Sequence, residues 1–298
     1  MRKGEIREKF RELAVWRRGD ERAPHKPLLL LLAFGEYRRG ANRLLPFADV
    51  DPVLRKLLEE FGPPRKSYHP EYPFWHLQSD GVWQLDIAGP PMIRESRSNP
   101  PKSELIKLEA AGGLTEGLYN ALIADPALLS QIARDLLDEH FPATLHEDIL
   151  EAVGLDLELA GPVRPKRDPR FRDEVIMSYE YRCAVCGFDM RLGDALVALE
   201  AAHIRWHQAG GPSTVDNGLA LCSMHHKLFD RGAFTVSTRH QVEVSQLVNG
   251  STGVEEWLLS FHGGSVRVPD HPDRVPNSSY LEWHRGEVFR QPARHLEN

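Results

Sequence analysis

This 298-residue chain has only three cysteines, no apolar run of signal or membrane-spanning length and no excess of positive charge. Three thiols cannot all pair, so a disulfide framework is excluded. Without a signal-like or membrane-spanning stretch, the chain is expected in a reducing cytoplasm and away from membranes. A net charge of −6 argues against a polyanionic partner until it is divided by region. Residues 1–100 carry 18 Lys and Arg against 14 Asp and Glu, a balance of +4. Residues 101–160 carry 3 against 12, or −9, and residues 161–298 carry 16 against 17, or −1. The acidity sits in a middle segment and leaves a basic N-terminal part free to meet phosphates.

The length suits two domains, and no internal repeat is visible. Residues 5–18 place Ile6, Phe10, Leu13 and Ala14 at helical spacing. A second helix is expected from Pro27 to about Tyr37, ended before Gly40, with Leu28–Leu32 as core, and a third from Val53 to Phe61. A β-hairpin is expected next: Tyr72 to Gln78, a turn at Ser79-Asp80-Gly81, then Val82 to Leu85. Helices followed by such a hairpin read as a winged-helix-like module. Three short acidic helices are expected between Thr115 and Val153. The linker is placed at Leu159–Pro169 (LAGPVRPKRDP).

Beyond it lie the segments YRCAVCGFDM and LEAAHIRWHQAGGPSTVDNGLALCSMHHKLFDRGAF. Cys183 and Cys186 form a C-x-x-C pair, and Cys222 and His225 a C-x-x-H pair. Each short-spaced pair can hold a metal from one tight turn, so the four side chains predict a tetrahedral structural zinc. Leu196 to Ile204 reads as a strand that delivers His203 at its end. Arg205 to Val215 reads as a loop, Leu219 to Leu221 as a second strand, and Ser223 to Asp230 as a helix. Strand, strand and helix is too small to bury a core of its own, which makes a metal staple useful. His203, Asn217 and His226 remain as polar residues that the zinc does not use.

Residues 170–235 resemble the HNH endonuclease family, in the branch ending N-G-L-x-L-C-x-x-H-H-x-x-F-D-R-G. The resemblance implies that His203 is the general base, Asn217 orients it through a backbone hydrogen bond, and His226 binds a catalytic divalent ion. Imidazole suits the base because its ordinary pKa lies near neutrality. The ion expected is Mg²⁺ or Mn²⁺. Many relatives carry an acid immediately before the first histidine, where this chain has Ala202. The second ligand is therefore open between Glu200 and Asp230.

The N-terminal part carries R-A-P-H-K-P-L-L-L-L-L at 22–32, H-P-E-Y-P-F-W-H-L at 69–77 and D-G-V-W at 80–83. It resembles the sulfur-binding domain of phosphorothioate-dependent restriction endonucleases, which join that domain to a C-terminal HNH nuclease. Sulfur is larger and a poorer acceptor than oxygen, so a reader should offer a shallow apolar cup together with cations for the DNA backbone. The resemblance places those roles on His25-Lys26 and Tyr72-Pro73, with Arg65 and Lys66 as further cations and His76 as a wall.

The sequence thus reads as an α+β protein: residues 1–110 a helical DNA-reading domain with a β-hairpin wing, 111–165 an acidic helical bridge and linker, and 166–298 a zinc-stapled ββα-metal domain. The expected activity is hydrolysis of double-stranded DNA near a phosphorothioate. Cutting both strands favours a homodimer. Two other readings are a nuclease that reads another DNA modification, with Trp75 and Trp83 caging a flipped base, and a DNA-binding protein with a dead, zinc-stabilised nuclease fold. The complete His203, Asn217 and His226 set argues against the dead fold.

Overall fold

A run of eight apolar residues within one helix cannot keep a face in water, and the helix that contains it is buried on all sides. Residues Pro27 to Gly35 and Tyr37 of α2 (His25–Arg38) are all buried, which is the signature of a central helix. In the computed structural model of the chain, described over residues 2–13, 21–87, 99–157 and 169–295, α2 is the hub of the first of two units. That unit comprises residues 1–18, 23–141 and 146–164; the second comprises 19–22, 142–145 and 165–298.

In the first unit α1 (Lys3–Arg11) turns Ile6 and Phe10 inward, at helical spacing. After α2 come β1 (Leu45–Pro46) and α3 (Phe47–Phe61), which begins six residues earlier than expected. Pro52 lies inside α3, but Val50, Leu54, Leu57, Leu58 and Phe61 share a buried face, and that packing outweighs one missing backbone hydrogen bond. Then follow α4 (Glu71–His76), β2 (Trp83–Asp86), α5 (Lys102–Lys107), β3 (Ala111–Leu114), α6 (Glu116–Ala124), α7 (Pro126–His140) and α8 (His146–Val153). Helix α7 is started by the Asp125 carboxylate, which accepts from Leu128 N–H, with Pro126 in the first turn. Helices α3, α4, α7 and α8 pack around α2.

The expected β-hairpin wing is not formed. Residues 71–76 are helix and 77–80 a 3₁₀ turn. The reason is periodicity: Pro70, Phe74 and Leu77 are buried together, a spacing of four and three rather than two. Pro73 lies in the first turn, where its missing N–H costs nothing. Strand β2 instead pairs antiparallel with β3, Trp83 opposite Leu114, and β3 pairs with β1 on its other edge. Most of the segment read as an acidic bridge is therefore built into the first unit, with β3 as the middle strand of its sheet and α7 against α1 and α2, while residues 142–145 belong to the second. The expected linker and Ala14 lie outside the described residues, apart from Pro169.

The second unit begins with α9 (Pro169–Ser178) and continues through β4 (Arg191–Leu192), β5 (Ala195–Leu196), β6 (Leu199–His203), β7 (Gly218–Cys222), α10 (Ser223–Asp230), β8 (Phe234–Val236), β9 (Val242–Val244), α11 (Val254–Trp257) and α12 (Ser278–Glu287). β6 and β7 form an antiparallel pair, His203 opposite Gly218, against which α9 and α10 pack. Val175, Ile176, Ala202, Leu219, Leu221 and Phe229 belong to one core. Helix α12 is clamped to it by His284: Nε2–H donates to Phe229 O at 3.1 Å, the ring stacks on Phe229 at 3.6 Å, and Nδ1 lies 2.8 Å from Thr235 Oγ1. Burial holds that imidazole neutral, its pKa lowered to about 3. Among the described residues, no helix is long and apolar enough to cross a membrane.

Candidate functional site

Gly187 follows Cys186 directly and takes φ of +74°, a left-handed turn that an L side chain resists. Its N–H reaches Cys183 O at 2.9 Å, which closes a knuckle with both thiols on one side. The second pair comes from the junction of β7 and α10. The ligand atoms of Cys183, Cys186, Cys222 and His225 all lie within 4.8 Å of one another. His225 Nδ1 is 3.7 Å from Cys183 Sγ and 3.1 Å from Cys222 Sγ, while Nε2–H donates to Trp257 O at 3.0 Å. That outer bond leaves Nδ1 as the donor atom. Three thiols and one imidazole, largely buried and closed on four sides, fit a structural tetrahedral ion.

His226, the next residue on α10, faces elsewhere. Its Nδ1–H donates to Glu200 Oε2 at 2.6 Å, and its Nε2 lies 3.3 Å from Asp230 Oδ2, one helical turn on. Burial opposes the charged ring, but the Asp230 and Glu200 carboxylates prevail and raise its pKa to about 9. Glu200 Oε1 also accepts from Ser223 Oγ at 3.0 Å. The Asp230 side chain is 1% exposed; its Oδ1 accepts from Trp206 Nε1–H at 3.1 Å and its Oδ2 from the Thr144 hydroxyl. Among the described residues no set of three or more His, Cys, Asp or Glu donors other than the Cys₃His cluster converges as closely. Glu200 and Asp230 occupy opposite edges of the ring and do not close together on one point.

His203, at the end of β6, stacks on Phe171 at 4.0 Å and 17°, with Nε2 3.2 Å from Ser213 Oγ. Burial, then the neighbouring His207 charge, lowers its pKa to about 4, so the ring is neutral at pH 7. Asn217 is fully buried and braces the loop after His203. Its Oδ1 accepts from Arg205 N–H at 2.8 Å, and its Nδ2 donates to Arg205 O at 3.0 Å and Pro212 O at 2.8 Å. The loop closes tightly enough that a Cβ on Gly211 would stand 1.9 Å from Arg205 O.

In the first unit, His25 opens α2. Its pKa is lowered to about 4 by burial, then by Arg65 and His69 nearby. Tyr72 is 36% exposed and lies flat on His69, ring centroids 4.5 Å apart at 7°. His69 is itself held between Ser67 Oγ and Glu71 Oε1, each at 2.9 Å. His69 thus lies between His25, which Arg65 also neighbours, and Tyr72, and it is a residue the sequence reading missed although it heads the H-P-E-Y-P-F motif. Lys66 is exposed, whereas Pro73 is buried. Lys26 is committed to Asp80 at 2.6 Å, and His76 Nε2 lies 2.6 Å from Asn99 Oδ1. Trp206 and Thr144 were also missed; only folding places them beside Asp230.

Residues 3–158 match a family described as ScoMcrA-like, DNA sulfur-binding domain, and residues 183–237 match an HNH endonuclease family. Among solved structures, the sulfur-binding domain of ScoMcrA complexed with phosphorothioated DNA is 28% identical with a TM-score of 0.43, over 50% of this chain and 94% of that one. The corresponding SprMcrA domain, also complexed with phosphorothioated DNA, is 25% identical with a TM-score of 0.43, over 52% and 95%. The Type IV phosphorothioation-dependent restriction endonuclease ScoMcrA is 28% identical with a TM-score of 0.41, over 50% of this chain and 28% of its own length. No curated protein matches.

Proposed function

Because this chain belongs to the ScoMcrA-like family of DNA sulfur-binding-domain proteins and carries an HNH endonuclease domain behind that match, we propose that it binds phosphorothioate-modified double-stranded DNA through its first unit and hydrolyses it through its second. The observation that carries the reading is the assembly, in one unit, of a neutral His203, its braced loop and the His226–Asp230 pair. In the first unit the exposed face of Tyr72, backed by His69, is the apolar surface for sulfur, with His25 and Arg65 beside it. Lys66 meets the phosphate backbone.

Cys183, Cys186, Cys222 and His225 hold zinc as a staple. The catalytic divalent ion, Mg²⁺ or Mn²⁺, is held by His226 and Asp230. Two ligands at right angles about 2.1 Å from an ion lie roughly 3.0 Å apart, so the 3.3 Å separation of Nε2 and Oδ2 fits a shared ion. The 2.6 Å separation on the other edge is that of a hydrogen bond. Glu200 therefore fixes the ring so that Nε2 is the donor atom. When bound, the ion supplies positive charge for the phosphate and the departing 3′ oxygen. His203 is the base. With Nε2–H donating to Ser213, Nδ1 takes the proton of the water whose oxygen attacks phosphorus as the P–O3′ bond breaks. Asn217, buried away from substrate, holds the loop that follows His203. Cutting both strands needs two active sites or two visits, and a homodimer meets that need.

The test uses matched duplexes with and without a single phosphorothioate, in Mn²⁺. Tyr72→Ala should lose affinity for modified DNA far more than for unmodified DNA, while Lys66→Ala weakens both and flattens the salt dependence. His203→Ala should bind like wild type and cut about 10²–10⁴-fold more slowly. Equal losses on both duplexes for Tyr72→Ala, or near wild-type cutting by His203→Ala, would overturn the reading.

A further inference from the structure

The second unit includes two short pieces of chain that precede the HNH match: one ends at Arg22, and the other is Pro142–Leu145. Both lie within residues 3–158, the span matched by the sulfur-binding family. Each piece delivers one side chain to the surroundings of Asp230. Thr144 donates its hydroxyl to Asp230 Oδ2. Arg22 lays its guanidinium over the Trp206 ring, Cζ 3.8 Å from the centroid, and the indole N–H on that ring donates to Asp230 Oδ1. Arg22 is in turn fixed by Glu287 on α12: its backbone N–H reaches Oε2 at 2.9 Å and its Nη1 reaches Glu287 O at 3.0 Å. Trp283, also on α12, meets Trp206 edge to face at 6.1 Å.

Such a network is expensive to assemble for packing alone. A carboxylate with 1% exposure must have its charge answered, and here both oxygens are engaged by donors from distant segments. A cation on an indole face favours donation by the indole N–H, because it draws electron density from the ring. With Oδ1 committed to Trp206, the carboxylate cannot rotate, and Oδ2 stays turned to His226 Nε2.

We propose that Arg22, Trp206 and Thr144 are positioning residues that hold Asp230 in its ion-binding orientation, so that sequence from the DNA-reading part of the chain completes the nuclease unit. This rests on His226 and Asp230 holding the catalytic ion, as set out above. None of the three touches substrate. Their effect runs through the geometry of one carboxylate, and it belongs to ion affinity before it belongs to chemistry. Trp206 also follows the base by three residues, so the same indole ties the loop of His203 to the helix of His226.

The experiment is Mn²⁺ titration by calorimetry of the full-length, zinc-loaded chain without DNA, followed by cutting assays across Mn²⁺ concentrations. Thr144→Val removes the hydroxyl at nearly constant volume, and Trp206→Phe removes the N–H but keeps a ring. Each should weaken Mn²⁺ binding on the order of 10-fold, as outer-sphere losses do, with cutting largely recovered at high Mn²⁺. Thr144→Ser, which keeps the hydroxyl, should restore tight binding. Arg22→Ala should weaken Mn²⁺ in the same direction while binding modified DNA as wild type does. A lowered melting temperature with unchanged Mn²⁺ affinity in Thr144→Val and Trp206→Phe would reduce both residues to packing and overturn the inference alone. Wild-type protein that binds no Mn²⁺ would sink the ion assignment of His226 and Asp230 along with it.

Discussion

His225 and His226 are consecutive residues on one short helix, yet they sit in opposite surroundings. Successive helical side chains diverge by about 100°, so one imidazole turns into a thiol cluster and the other into a pair of carboxylates. Around His225 four donors close on a point, and the outer edge of the ring is tied to Trp257 O. Around His226, among the described residues, Asp230 lies 3.3 Å from Nε2 and Glu200 holds the opposite edge at hydrogen-bond distance. A closed four-donor set leaves no place for substrate and serves structure, whereas an open two-donor set leaves coordination positions for water and phosphate. On the function proposed above, the contrast separates stability from catalysis within two residues.

The largest expected effect breaks the closed side. Cys222→Ser should lose the zinc and unfold the second unit, since structural zinc is worth roughly 10–16 kcal/mol in small metal-folded domains. The first unit has its own core around α2 and should still bind modified DNA. Metal analysis and calorimetric melting check this, and a zinc-free variant that melts like wild type would remove the staple.

A smaller effect sharpens the open side. Asp230→Asn should abolish Mn²⁺-dependent cutting, whereas Glu200→Gln should cost roughly 10- to 100-fold, the range of an outer carboxylate. Both variants should keep full zinc content. If Glu200→Gln proved the more damaging of the two, the assignment of ligand and outer carboxylate would be reversed.

The smallest effect concerns protonation. His25 and His203 both have pKa values lowered from 6.5 to about 4, chiefly by burial. Below pH 6.5 the unfolded chain takes up protons that these native rings refuse. Their contribution to stability is thus complete above 6.5 and is lost as pH falls towards 4, by at most about 1.4 kcal/mol per group per pH unit. In NMR titrations of the free protein, the ring resonances of His25 and His203 should stay flat between pH 7.5 and 5.5. A midpoint near 6.5 for either would show a solvated ring in place of the buried one.

Much of the second unit was legible because its signals are local. C-x-x-C and C-x-x-H spacings need only one turn each, and the helix expected at Ser223–Asp230 forms over those residues. The strands that carry His203 and the N-G-L segment pair as a simple hairpin-like unit. The first unit was less legible. The aromatic H-P-E-Y-P-F-W-H-L segment was read at strand period, yet Phe74 and Leu77 bury as a helix does. Pro73, assigned to the sulfur cup, went inside with that face, and Lys26 went to Asp80.

By itself the sequence determined which groups are at hand: the spacing of three cysteines and a histidine that could share a metal, the helix that bears two consecutive histidines, and the leucine-rich run of α2 that must be central. Only tertiary structure decided partners. It chose β3 over the 72–78 segment for β2, set Asp230 on one edge of the His226 ring and Glu200 on the other, and brought Thr144 to the Asp230 carboxylate and Arg22 to the Trp206 ring, each from more than 80 residues away in the chain. Spacing along a chain constrains which groups can share a turn, because backbone geometry is local. Which distant surfaces meet depends on burying apolar area and satisfying polar groups across the whole unit, and no short pattern encodes that sum.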